Sequence, residues 1–220
     1  MLNILLWPGA KGTYVDVGSH RPIEGSNTYG LYLRGWRGLT VDPNPAFQDA
    51  YARHRPHEPH LVEGVSDARG ALTYHGFDNS VFNTLSDQRA ADLAQGGIRT
   101  VTRSRVTTRP LREMVEEHLG GRPIDLLSVD CEGLDLQVIR SLDLMRHRPT
   151  VIIMEDFARL AMFRSGEGES ALHTFLIDSN YSPFAQLAFS ALYIANDHRE
   201  LMSRSDAFDS ARIQGGILSS

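Results

Sequence analysis

Residues 13–20 read TYVDVGSH, a short β-rich run from Thr13 to Val17 that ends in the pair Gly18-Ser19. Such a run stopped by glycine and serine predicts a strand that leads into a turn. Glycine at this turn lets a ligand approach the backbone closely, and a helix that starts after the turn favours polar or anionic groups. The spacing is not the G-x-G-x-x-G of dinucleotide-binding proteins, so we do not expect NAD as the ligand.

Outward from this strand, predicted strands and helices alternate along the 220 residues. Further strands are predicted at 38–41, 61–65, 71–74, 100–108, 124–129 and 151–154, and helices at 29–34, 47–54, 111–119, 135–142 and 169–180. Residues 184–187 and 191–194 are expected to form a terminal antiparallel pair. This alternation predicts one α/β domain over residues 1–220, with a mainly parallel sheet and helices on both faces.

The polar stretch 75–97 is longer than most loops inside a compact domain. Segments of this length are usually functional loops or contain structure of their own. We expect a lid over the site that is either partly helical, with a helix near 87–93, or mobile.

Polar side chains follow several predicted strands, at the point where each strand ends. They are Asp16, Asp42, Ser66, Asp130 and the pair Glu155-Asp156. Ligands of open α/β sheets bind at this carboxyl edge, so these residues predict an active site. Asp42 is well placed to accept hydrogen bonds from ribose hydroxyls, although an aspartate before Pro43 also suits a simple turn.

Three segments carry a family resemblance: VDVGSHRPIEGSNTYGLYLRGWRGLTVDPNP (15–45), VEGVSDARGALTYH (62–75) and IDLLSVDCEGLDLQVIRSLD (124–143). Together they resemble the FkbM family of S-adenosylmethionine (SAM)-dependent methyltransferases, over roughly residues 14–156. The family is similar to the Rossmann-like class I methyltransferases. The resemblance implies a seven-stranded, mostly parallel sheet whose last two strands are the antiparallel pair expected above.

The resemblance also implies roles for individual residues. Asp16, Gly18 and Ser19 would border the methionine part of SAM, Asp42 would hold the ribose, Ser66 and Asp67 would lie beside the adenine, and Asp130 would lie near the sulfonium and the acceptor. One departure is His20, which stands where many class I enzymes have another glycine. The loop around the methionine part is therefore expected to differ in detail.

Methyl transfer to a hydroxyl requires a base or a metal ion, because a free alcohol is a poor nucleophile. Asp130, Glu155 and Asp156 would place three carboxylates on adjacent strands, which suits Mg²⁺ or Mn²⁺. This set is similar to that of the metal-dependent class I O-methyltransferases. The alternative is that Glu155 and Asp156 cap a helix or face solvent.

The candidate base is His147, just before the fifth strand of the expected sheet, because histidine has a suitable pKa. The neighbouring arginines would also fit an exposed turn. Glu132 and His20 are the other candidates.

Composition limits the partners and the compartment. The net charge of −5 argues against nucleic acid as a partner. No apolar run approaches the roughly 18 residues of a membrane span. The lone cysteine, Cys131, fits a reducing cytoplasm.

By resemblance, the acceptor is a small molecule or oligosaccharide. We expect O-methylation of a saccharide or glycan, for example a methylmannose polysaccharide. The alternatives are a metal-free macrolide or polyketide methyltransferase and a non-catalytic SAM- or nucleotide-binding module, and a homodimer is left open.

Overall fold

The computed structural model describes residues 11–155, 170–187 and 190–204, which form two sheets and six α-helices. The strands are β1 Thr13–Val17, β2 Arg37–Val41, β3 His60–Leu61, β4 Gly64–Val65, β5 Gly70–Phe77, β6 Thr100–Arg109, β7 Leu126–Val129, β8 Val151–Glu155, β9 Tyr181–Leu187 and β10 Ser190–Ala195. The helices are α1 Tyr29–Leu33, α2 Gln48–His54, α3 Asp87–Gln95, α4 Leu111–Leu119, α5 Asp135–Arg140 and α6 Ala171–Asp178.

The main sheet has seven strands in the order β3-β2-β1-β7-β8-β10-β9. The pairs from β3 to β8 are parallel, and β10 runs antiparallel to both of its neighbours. The mostly parallel sheet and the terminal antiparallel pair are as predicted, and the fold is consistent with a Rossmann-like methyltransferase. The chain moves outward from β1 to β3 and returns on the other side of β1 as β7. This reversal opens a crevice between the carboxyl ends of β1 and β7.

Alternating residues of the central strands pack into two apolar cores on opposite faces of the main sheet. Val15 of β1 and Leu127 of β7 belong to one core, whereas Tyr14 and Leu126 belong to the other. Strands that are covered on both faces need apolar residues at successive positions, which explains the continuous run in β7. The two cores hold the carboxyl ends of β1 and β7 in a fixed relation.

A second sheet, in the order β4-β6-β5, corrects two of the sequence predictions. The strand expected at 61–65 is divided between the sheets, because β3 pairs with β2 whereas β4 pairs with β6. The short strand expected at 71–74 continues through Phe77 and pairs with β6.

The stretch 75–97 contains the end of β5, a 3-10 helix at Ser80–Phe82 and α3. The Ser86 side chain accepts a hydrogen bond from the backbone N–H of Arg89 and so caps α3. Phe77 and Leu93 are buried in a small apolar cluster of their own. The partly helical form of this stretch is confirmed, and its role as a lid stays a prediction. Within the described ranges, no helix is both long and apolar enough to span a membrane.

Candidate active site

A cleft lies at the carboxyl ends of β1 and β7, where the reversal of strand order predicts one, and Gly18 is among its lining residues. The Gly18 backbone has φ 72°, in the left-handed region that favours glycine. A Cβ atom there would lie 1.7 Å from the carbonyl oxygen of Asp130, at the end of β7. The turns after β1 and β7 therefore approach so closely that only glycine fits between them.

Asp42 lies at the end of β2, is 7% exposed and lines the same cleft. Its carboxylate accepts hydrogen bonds from the backbone N–H groups of His20 at 2.8 Å and Asn44 at 2.9 Å. The turn-forming interpretation of Asp42 is thus correct, and it does not exclude a ligand, because a carboxylate has about four acceptor positions. Burial raises the pKa of Asp42 to about 6, against the two backbone donors, which lower it.

Asp16 and Ser19 complete this side of the cleft, and both are buried. The Thr28 hydroxyl donates to Asp16 Oδ2 at 2.5 Å. Burial raises the pKa of Asp16, and the hydrogen bond from Thr28 lowers it. The Ser19 hydroxyl has no hydrogen-bond partner among the described residues, although it is buried. We call Asp16, Gly18, Ser19 and Asp42 the β1–β2 half of the cleft.

His20 explains how the chain departs from the glycine that the resemblance leads one to expect. It adopts φ 48°, so this residue takes the left-handed conformation that glycine would take there. Its Nε2 atom lies 2.8 Å from Ser80 Oγ, and its ring contacts Phe47 edge-on at 4.6 Å between centroids. His20 therefore connects the loop after β1 to the stretch 75–97.

Ser66 and Asp67 follow β4, and the side chain of Gln137 donates to both, at 3.1 Å and 3.0 Å. Ser66 is buried and Asp67 is exposed, and neither belongs to the cleft lining that the described residues form. The apolar side chains of Val65 and Val138 line the cleft here instead. Sequence reasoning missed them because buried apolar positions of strands and helices carry no sign of a ligand.

Three carboxylates lie together at the ends of β7 and β8: Asp130, Glu132 and Glu155, which we call the carboxylate cluster. One oxygen of each lies within 4.8 Å of the others. The expected approach of Asp130 and Glu155 is therefore observed. Asp156, the third predicted ligand, lies outside the described residues. Glu132, which was expected only as a base, is the third member.

The backbone explains why Glu132 reaches the cluster. Glu132 has φ 47° and is followed by Gly133 with φ 101°, so the chain turns sharply after β7. The Thr84 hydroxyl donates to the Glu132 carbonyl oxygen at 2.9 Å. Arg89 of α3 donates to Glu132 Oε2 through Nε at 3.1 Å and Nη2 at 3.0 Å. The stretch 75–97 thus holds Glu132 in place.

Burial and repulsion between neighbouring charges both affect the protonation of the carboxylate cluster. Asp130 retains contact with solvent, yet the surrounding protein removes enough water to raise its pKa to about 7, and the charges of Asp135 and Glu132 act in the same direction. Burial likewise raises the pKa of Glu155 to about 8, with further contributions from Asp130 and Glu132. Such a group of carboxylates is stabilised by protons or by a cation.

His147 does not lie at the edge of the sheet where it was expected. It precedes β8, which runs parallel to β7, so it lies at the amino ends of these strands. Its Nε2 atom is 3.4 Å from Glu116 Oε1, and it lines a separate groove with Arg122 and Arg146. The structure therefore does not bring His147 to the cleft, and Glu132 and His20 are the candidate bases that line it.

The seven-stranded sheet and the cleft at its switch point are consistent with a Rossmann-like methyltransferase fold. The sequence model described as "Methyltransferase FkbM domain" matches residues 16–182, most of the chain. The chain therefore belongs to the FkbM methyltransferase family, and such methyltransferases generally use SAM. No curated protein matches the chain.

Proposed function

We propose that the chain is a SAM-dependent O-methyltransferase that acts on a hydroxyl of a saccharide or glycan with the help of a divalent cation. The observation that carries this proposal is the meeting of two unlike groups in one cleft. The β1–β2 half offers buried acceptors, Asp130 and Glu132 line the same cleft, and Glu155 lies beside them in the carboxylate cluster.

The β1–β2 half fits SAM in three respects. The left-handed Gly18 lets the turn after β1 pack against the Asp130 carbonyl oxygen, which brings the two strand ends together around the cleft. The buried Ser19 hydroxyl still needs a hydrogen-bond partner, which a polar cofactor group would provide. Asp42 keeps acceptor capacity for ribose hydroxyls after its two backbone bonds.

The carboxylate cluster fits a divalent cation such as Mg²⁺ or Mn²⁺. Carboxylate oxygens are the ligands that these hard ions prefer, and Asp130, Glu132 and Glu155 supply one each. When bound, SAM supplies the electrophilic methyl group, and the cation lowers the pKa of the acceptor hydroxyl. The protein's part is to keep the three carboxylates together, and Arg89 does so for Glu132.

A saccharide acceptor is supported by the chemistry of the cluster and by the family resemblance. Sugars carry adjacent hydroxyls, which are hard oxygen donors like the carboxylates of Asp130 and Glu155. A methylated polysaccharide, such as a methylmannose polysaccharide, is the specific acceptor that we propose to test first.

A metal-free methyltransferase with a macrolide or polyketide acceptor is the second candidate, and one observation favours it. Burial lowers the pKa of His20, which lines the cleft, so its imidazole is neutral and able to accept a proton. In this alternative the carboxylate cluster would hold protons rather than a cation.

The proposal is tested by offering SAM and a panel of saccharides and macrolides to the purified protein. Mass spectrometry would detect a product that has gained one methyl group. We expect methylation of a saccharide that stops in EDTA and returns with Mg²⁺ or Mn²⁺. Full activity in EDTA that His20→Ala removes would establish the metal-free alternative. A protein that does not bind SAM by calorimetry would contradict both.

A further inference from the structure

A buried arginine lies behind the β1–β2 half of the cleft, and neither the family resemblance nor the proposed chemistry gives it a role. Arg55 follows α2 and is 1% exposed. Its guanidinium carbon lies 5.4 Å from the ring centroids of Tyr14 and Tyr51 and 5.5 Å from that of Tyr32. A cation so far removed from water is costly unless its donors are paired, so its partners should identify its purpose.

Arg55 has four polar partners. Nη2 donates to Tyr14 Oη at 2.8 Å and to Thr28 Oγ1 at 2.9 Å, and Nη1 donates to Ser26 Oγ at 3.2 Å. Nε forms an ion pair with the Glu58 carboxylate, and the side chains of both residues are fully buried. Because the donors of a guanidinium group have a rigid planar arrangement, Arg55 fixes these partners relative to one another.

Two of these partners, Ser26 and Thr28, connect Arg55 to the cleft. Ser26 lines it, and its hydroxyl accepts from the backbone N–H groups of Thr28 at 3.2 Å and Tyr29 at 3.1 Å. Thr28 has a single hydroxyl hydrogen, which it donates to Asp16 Oδ2 at 2.5 Å. The lone pairs of the same oxygen face Arg55. The charge of Arg55 therefore acts on Asp16 through Thr28.

We infer that Arg55, acting through Thr28, is a positioning residue that holds Asp16 as an ionised acceptor for the cationic methionine end of the cofactor. The inference rests on the SAM binding proposed above. SAM carries an ammonium group and a sulfonium centre, and an ionised carboxylate attracts both. A neutral Asp16 would lose this attraction although the fold was unchanged.

The charges that face Asp16 show why a positive group is needed there. Asp42 after β2, Asp130 after β7 and Glu58, the buried partner of Arg55, all interact with it unfavourably. Burial is the largest influence and leaves the pKa of Asp16 raised, and Thr28 at the start of α1, Arg55 after α2 and Ser128 on β7 oppose this rise. Arg55 is the cation in this group, and Thr28 connects it to the carboxylate.

The test compares Thr28→Val with Thr28→Ser by calorimetric titration of SAM at several pH values. Valine keeps the volume of threonine and removes the hydroxyl, so we expect binding to weaken by about 10-fold to 100-fold near neutral pH. The loss of SAM affinity relative to wild type should grow as the pH falls, because Asp16 takes up a proton more readily without the Thr28 hydroxyl as its donor. Serine restores the hydroxyl and should restore both the affinity and the pH profile. Thr13→Val, a matched change at the other end of β1, should leave both unchanged.

The outcomes separate this inference from the proposed function. A wild-type protein that does not bind SAM would contradict the proposed function itself. Wild-type affinity in Thr28→Val, or a loss that is equal at every pH or that serine does not repair, would overturn the inference. If Thr28→Val does not fold, Arg55→Lys is the second test, because lysine keeps the charge but not the planar set of donors. Weakened binding in folded Arg55→Lys supports the inference, and unchanged affinity overturns it.

Discussion

At the ends of β1 and β2 each acidic side chain has hydrogen-bond donors of its own, whereas at the ends of β7 and β8 the acidic side chains mainly face one another. Asp42 accepts from two backbone N–H groups, and Asp16 accepts from Thr28. In the carboxylate cluster, burial and then repulsion from neighbouring carboxylates raise the pKa values of Asp130 and Glu155.

The difference indicates different tasks for the two sides of the cleft. Paired carboxylates keep a fixed geometry without any ligand, as a preorganised cofactor site requires. Carboxylates that repel one another are stabilised when a cation joins them, and a ligand that binds only the folded protein stabilises it. We therefore expect changes in the β1–β2 half to affect SAM affinity, and changes in the carboxylate cluster to affect cation binding and turnover.

The largest effect is expected for Gly18→Ala, which removes the close approach on which the β1–β2 half depends. The new Cβ would lie 1.7 Å from the Asp130 carbonyl oxygen, and φ 72° is unfavourable for alanine. We expect no detectable SAM binding in calorimetry. The free energy of unfolding should fall by about 2–5 kcal/mol, because overpacking adds to backbone strain.

Gly97→Ala is the matched control, since Gly97 has φ 85° but an added Cβ there would meet nothing within 4 Å. Its free energy of unfolding should fall only by the cost of backbone strain, about 1–2 kcal/mol, and its SAM affinity should be unchanged. SAM binding by Gly18→Ala at wild-type affinity would contradict the place given to the cofactor.

Asp42→Ala should have the next largest effect and should act on SAM affinity. The change removes a charged acceptor and leaves two backbone N–H groups without it, so binding should weaken by about 1–3 kcal/mol. Asp42→Asn keeps one acceptor oxygen and should fall between wild type and alanine. Asp49→Ala, an exposed position on α2, serves as the control. Unchanged affinity in folded Asp42→Ala would refute the ribose assignment.

A smaller effect is expected when the stability of the metal-free protein is measured as a function of pH. The pKa values of Asp42, Asp130 and Glu155 are raised to about 6, 7 and 8. The folded protein therefore binds protons that the unfolded chain has released, and stability falls as the pH rises from about 5 to about 8. Thermal unfolding in EDTA would measure this decline.

Two variations sharpen the pH measurement. Mg²⁺ should reduce the decline, because the cation replaces the protons, and Glu155→Gln should reduce it without Mg²⁺. An unfolding temperature in EDTA that rises steadily over this pH range would be inconsistent with the charge arrangement of the carboxylate cluster.

The smallest effect is expected for His147→Ala, because the structure places His147 at the amino ends of β7 and β8. Turnover should change far less than the about 10²-fold loss that removal of a general base causes at minimum. Steady-state turnover would be measured for His147→Ala and for Glu132→Gln, which compares a residue away from the cleft with one that lines it. A base-like loss in His147→Ala would show that the catalytic edge has been misassigned.

The sequence was sufficient for most of the main sheet and for the carboxyl-end residues, because both follow from local pattern and parallel topology. Asp16 lies near the end of an apolar strand and Asp42 and Asp130 directly follow one, and in a parallel sheet such ends meet at one edge. The same rule places His147 at the other edge, since a residue that precedes a parallel strand lies opposite one that follows it.

Features that depend on backbone conformation or on distant contacts could not be predicted in this way. Glu132 joins the carboxylate cluster because two left-handed residues turn the chain after β7. Arg55 reaches Thr28 and Ser26 across more than twenty residues of sequence, and an arginine in a polar stretch resembles a solvent-exposed one. The split of residues 61–65 between two sheets likewise depends on β6, which follows much later in the chain.

The most direct test of separate tasks for the two sides of the cleft is a pair of calorimetric titrations. SAM is titrated into the protein in EDTA, and Mn²⁺ is then titrated into metal-free wild type, Asp130→Asn and the control Asp49→Asn. The account predicts that SAM binds equally well with and without EDTA. It also predicts that Mn²⁺ binds to wild type and Asp49→Asn but not to Asp130→Asn, which retains SAM affinity. Absent Mn²⁺ binding in wild type, or equal binding in Asp130→Asn, would contradict it.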